Sequence, residues 1–118
     1  MPKVINSEPP SQKRKRLLKL VIESARVLQN SDIDADDRND IIAFILLTLK
    51  EVEKTIIQSV IPWEKRGYWV KADQFRDDWK WIGEIKNQIS TMRTRNGWKQ
   101  NPEKIFMIFD KYNNIQTP

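Results

Sequence analysis

The chemistry open to this chain is that of carboxylates, cations and indoles, because its 118 residues include no cysteine and no histidine. Without cysteine there is no disulfide, no thiolate zinc site, no iron–sulfur ligation and no thiol nucleophile. Without histidine there is no imidazole ligand, no Ser–His triad and none of the commonest general base. Together the two absences remove most catalytic constellations, while carboxylate–Mg²⁺ chemistry stays open.

Three carboxylate groupings are candidates for that chemistry. Asp36-Asp37-Arg38-Asn39-Asp40 has DDxxD spacing, which can hold Mg²⁺ against a diphosphate when it lines a deep apolar cavity. This chain is too short to enclose such a cavity. The run also falls at an expected helix start, where acids cap the backbone and suit the dipole. Asp32, Asp34 and Asp36 open like a calcium loop, but the sixth and twelfth positions hold Asp37 and Ala43 in place of the required Gly and Glu. Asp73, Asp77 and Glu84 share a face of the third helix and would need an acidic partner motif on a facing helix. Lys71, Arg76 and Lys80 are interspersed among them, which favours a solvated, ion-paired face. A Mg²⁺-dependent hydrolase is therefore the third-ranked reading. The chain is expected not to be an enzyme, with no metal and no cofactor.

The cations group more sharply. Lys13-Arg14-Lys15-Arg16, followed by Lys19, is the densest run, and Arg93, Arg95 and Lys99 make a second group with Lys104. Either could contact nucleic-acid phosphates, an anionic membrane surface or an acidic partner. Residues 1–30 carry seven basic and two acidic side chains, residues 31–62 three and seven, and residues 63–118 eleven and seven. The net charge of +5 is thus split into basic ends around an acidic middle. Five tryptophans complete the set. The stretch Trp63 to Lys71 mixes aromatic and basic residues in a turn, a mixture that stacks bases, makes protein hot spots or closes a helix pair.

These side chains must be positioned by helices. Leu17, Leu18, Val21, Ala25 and Leu28 recur at helical spacing, predicting a first helix over about residues 11–30 with Ser11 as its cap. A second helix is expected over about 37–61, capped by Asp34, Asp36 or Asp37 and ended or kinked by Pro62. Its first half, Ile41 to Leu47, is apolar nearly all round, and its second narrows to Leu49, Val52, Ile56 and Val60. A third helix is expected from Gly67 or Tyr68 to Arg95, with Tyr68, Ala72, Phe75, Trp79, Ile82 and Ile89 on one face. Val70, Trp81, Ile85 and Met92 form an adjoining face. Asn96-Gly97 then stops the chain and Asn101-Pro102-Glu103 restarts a short helix carrying Ile105, Phe106, Ile108, Phe109 and Tyr112.

The expected fold is all-α: an antiparallel bundle of three long helices plus a short C-terminal helix, built around a long hairpin of the second and third helices. One domain spans residues 11–113 between a flexible tail at 1–10 and a C-terminal tail at 114–118. The longest apolar run is too short for a membrane span, no signal peptide is apparent, and a cytoplasmic location is expected. The first-ranked function is a non-catalytic interaction module or small subunit of a larger assembly, self-associating or bound to a protein partner. Its candidate interface residues are Ile41, Phe44, Leu47, Trp63, Trp69 and Trp81. An accessory nucleic-acid-binding protein is second, using Lys13, Arg14, Lys15, Arg16, Lys19, Arg93, Arg95 and Lys99. No small-molecule substrate is evident.

Overall fold

A computed structural model describes residues 8–30 and 32–94, with side chains to residue 91. The described residues form four helices and no strand: α1 Pro10–Val27, α2 Ala35–Lys65, α3 Trp69–Trp79 and α4 Trp81–Thr94. The short helix expected over 102–112 lies outside the described residues. So do Trp98 and the basic side chains Arg93, Arg95, Lys99 and Lys104.

Helix α1 begins earlier than Ser11, with Pro9 as its N-cap and Pro10 as its first residue. Proline suits that position, since its fixed φ is helical and the missing N–H would have had no helical partner. Leu17, Leu18, Val21, Ala25 and Leu28 are all buried, as their spacing predicts.

Helix α2 is 31 residues long, about 46 Å at 1.5 Å per residue. Asp34 caps it: the Asp37 backbone N–H donates to Asp34 Oδ1 at 2.8 Å. Of the two outcomes expected at Pro62, an end or a kink, the helix does not end there, because Pro62 lies inside it. Near the end of a helix a proline removes one backbone bond without breaking the turns that follow. The helix stops at Gly67, whose φ of 79° only glycine adopts without strain. Gly67 N–H donates to the Glu64 carbonyl and Tyr68 N–H to the Trp63 carbonyl, the paired bonds that close a helix C-terminus through a left-handed residue.

The single third helix expected from about residue 68 to Arg95 is divided at Lys80. There the backbone shortens its hydrogen bonding: Lys80 N–H donates to Asp77 O and Gly83 N–H to Lys80 O, each three residues back. Lys80 keeps right-handed helical angles, so one tightened turn joins α3 to α4.

Helix α2 lies against all three others. Its seam residues Leu49, Val52, Ile56 and Val60 are buried, as are Ile82, Ile85 and Ile89 of α4 and Ala72 of α3. Phe75, Trp79 and Trp81 of the expected third-helix faces are half-buried, and two further residues are exposed: Tyr68 at 53% and Val70 at 81%. Both belong to the connection and the first turn of α3, where helical spacing continues but no neighbouring element covers it. Particular pairs fix the register. Arg14 of α1 meets Thr55 and Ser59 of α2, Glu53 of α2 pairs with Lys86 of α4, and Glu64 of α2 pairs with Arg76 of α3.

Candidate functional site

The four consecutive cations of α1 have different fates, because a helix sends successive side chains in different directions. Lys13 approaches Glu51 of α2 at 4.0 Å, and Arg16 pairs with Glu8 at 2.9 Å. Hydrogen bonding from Arg16 and its positive charge hold the Glu8 carboxyl below its usual range, and Glu8 in turn raises Arg16. Glu51 is likewise lowered, first by its hydrogen bond from Lys54 and then by the charges of Lys54, Lys13 and Lys50. Lys15 and Lys19 are exposed.

Arg14 turns inward and is buried. Its Nη1 donates to the Thr55 carbonyl at 3.3 Å, to Thr55 Oγ1 at 3.3 Å and to Ser59 Oγ at 3.1 Å. The guanidinium carbon lies 5.1 Å from the centroid of Phe75 and 5.0 Å from that of Trp79. A buried cation is costly unless its donors are used, and here hydrogen bonds and two ring faces offset desolvation. Arg14 is thereby withdrawn from the exposed basic run in which the sequence places it.

Phe75 also connects Arg14 to a row of aromatic rings. Trp63 meets Phe75 edge-on at 5.3 Å, Phe75 lies 6.2 Å from Trp79, and Trp79 stacks on Trp81 at 5.8 Å. Lys71 Nζ sits 4.7 Å from the centroid of Trp63. Trp63 and Trp81 are therefore half-buried in this row, whereas Trp69 is 58% exposed. The contacts of Phe75 bring the start of α1 and the aromatic–basic turn to the same end of the molecule. This is the end at which an antiparallel order of the first three helices would place both segments, although they lie nearly fifty residues apart in the chain.

The other expected interface residues lie near the opposite end of α2. Ile41 is half-buried against the core, while Phe44 and Leu47 are exposed. Leu47 borders a groove of about 360 Å³ between α2 and α4, lined also by Ala43, Leu46, Lys50, Lys86, Asn87 and Ser90. A second groove of about 220 Å³ lies further along α2, where Glu53, Ile56 and Ile57 face Arg76 and Trp79 of α3, Lys80 and Gly83. Ile57 and Ile61 are exposed large apolar residues that the core stripes do not single out. A signal for them exists: Ala43, Leu47, Lys50, Lys54, Ile57 and Ile61 are spaced alternately four and three apart, a second stripe beside the buried one.

Among the described residues no three acidic side chains come together as a metal site. Asp73 pairs with Arg76 and Asp77 with Lys80, and Asp34 is occupied as a cap. Among them, too, no helix is long and apolar enough to cross a membrane. The chain matches no family model, no curated protein and no solved structure.

Proposed function

We propose that this chain is an antiparallel helical bundle acting in the cytoplasm as a non-catalytic, self-associating interaction module. The antiparallel arrangement is supported by the reversed order of Glu64–Arg76 and Glu53–Lys86 along α2 and the α3–α4 arm, and by Arg14, near the start of α1, meeting Ser59 in the later part of α2. The observation that carries the functional reading is the exposed stripe on α2, where Leu47 is 65% and Ile57 60% exposed.

That stripe is symmetric about its own midpoint. Two copies of α2 laid antiparallel would set Leu47 opposite Ile57, Ala43 opposite Ile61 and Lys50 opposite Lys54. An isologous two-fold contact requires such self-complementarity. The lysines meet at the centre, and Lys54 is already paired with Glu51 at 2.9 Å.

Light scattering after size-exclusion chromatography tests this reading. Expected are a dimer for the parent chain and a monomer of unchanged helicity for Leu47→Asp with Ile57→Asp. Salt should tighten the association by screening the facing lysines. A strict monomer at high concentration overturns it.

A further inference from the structure

We infer that the end of the molecule formed by the α2–α3 turn is a docking tip for an anionic lipid bilayer. The inference is independent of the self-association reading, which concerns the α2 stripe. It starts from three consecutive residues: Tyr68, Trp69 and Val70 are 53%, 58% and 81% exposed. Three consecutive large apolar residues, all exposed at a turn, are unusual on a surface that meets only water.

The cations around this tip decide its partner. Lys65 and Arg66 immediately precede the turn and Lys71 follows it, all three exposed. The nearby carboxylates are engaged, since Glu64 and Asp73 both pair with Arg76. The basic start of α1 is brought to the same end through Arg14 and Phe75. An apolar apex carrying Trp and Tyr within a collar of cations fits the interface of a bilayer, where indole and phenol rings sit at headgroup depth and cations meet anionic lipid.

A nucleic-acid strand fits less well. Bases stack on open ring faces, which at this tip leaves Tyr68 and Trp69, because Trp63, Phe75, Trp79 and Trp81 use theirs on one another and on Arg14 and Lys71. Val70, the most exposed of these apolar residues, has no role against a phosphate or a base. The tip is also held in shape, because Gly67 and the paired bonds around it fix the turn before any ligand arrives.

Vesicle co-sedimentation at low salt tests the proposal, using phosphatidylcholine alone and phosphatidylcholine mixed with phosphatidylserine. The parent chain should sediment with the mixed vesicles, weakly with phosphatidylcholine alone, and lose binding as salt rises. Val70→Asp should weaken binding about tenfold by removing apolar insertion. Lys65→Glu with Arg66→Glu should weaken it by about thirtyfold or more, at roughly 1 kcal/mol for each cation near the surface. Circular dichroism confirms that each variant is folded, and the charge pair tests the site independently of the apolar apex. The proposal is overturned by absence of vesicle binding at low salt, by equal binding to both vesicle types, or by parent-like binding of both variants. Binding of a single-stranded oligonucleotide without binding of vesicles also overturns it. Failure of self-association leaves these outcomes unaffected.

Discussion

The guanidinium carbon of Arg14 lies 5.0 Å from the ring centroid of Trp79, although the two residues are 65 positions apart in the chain. The contact joins the first turns of α1 to the last turn of α3 and crosses the end of α2 on the way, through Thr55 and Ser59. A cation from the most basic run in the sequence thus serves as a structural tie between three helices.

Arg14→Ala should lower unfolding stability by about 2–4 kcal/mol, since it removes buried hydrogen bonds and ring contacts and leaves a cavity. Arg14→Lys should recover only part of this, because an ammonium lacks the planar fork. Lys15→Ala, one residue along but exposed, should change stability by less than about 0.5 kcal/mol. Urea denaturation followed by circular dichroism measures all three. Equal effects at positions 14 and 15 would remove the tie.

The end of α2 depends on Gly67 and not on Pro62. A Cβ at Gly67 would meet nothing within 4 Å, so the cost of Gly67→Ala is that of its φ of 79° alone, about 1 kcal/mol. Pro62→Ala should act in the opposite direction and stabilise by about 1 kcal/mol, because it restores a helical N–H in an exposed position. Paired thermal melts would show the two shifts with opposite sign.

Ile82 and Leu47 separate folding from association. Ile82 is fully buried and Leu47 largely exposed. Ile82→Ala should cost about 2–5 kcal/mol of unfolding free energy at any concentration. Leu47→Ala should leave the stability of a dilute sample nearly unchanged and weaken association at high concentration. Melts over a range of protein concentrations distinguish the two behaviours.

Acid should weaken the fold slightly. Glu8 and Glu51 have carboxyl pKa values held below 4.5, chiefly by hydrogen bonds from Arg16 and Lys54 respectively. A carboxyl whose pKa is lower in the folded than in the unfolded chain stabilises the fold above the unfolded value. That stabilisation is lost as pH falls through the lowered value. The melting temperature should therefore decline below about pH 4.5, with a small part of the decline absent in Glu8→Gln. Both groups are on the surface, so salt should diminish their share.

The amino-acid sequence alone determined the helical class and the buried seams. Leu17 to Leu28, and Leu49 to Val60, recur with the period of a helix, and periodicity is a local property that burial must satisfy. It also determined the chemistry withheld from the chain, because absent cysteines and histidines cannot be supplied by folding. It did not determine which cations are free to meet a partner. Lys13, Arg14, Lys15 and Arg16 are equivalent as a run of charges, and only their helical directions, set against α2 and α3, bury Arg14 and leave Lys15 outside. Nor did it show where periodic stripes lose their cover. Tyr68 and Val70 continue the spacing of a buried face, yet they are exposed because they occupy the turn and the first turn of α3. Helical spacing shows which side chains share a direction, and only the tertiary arrangement decides whether another helix lies in that direction.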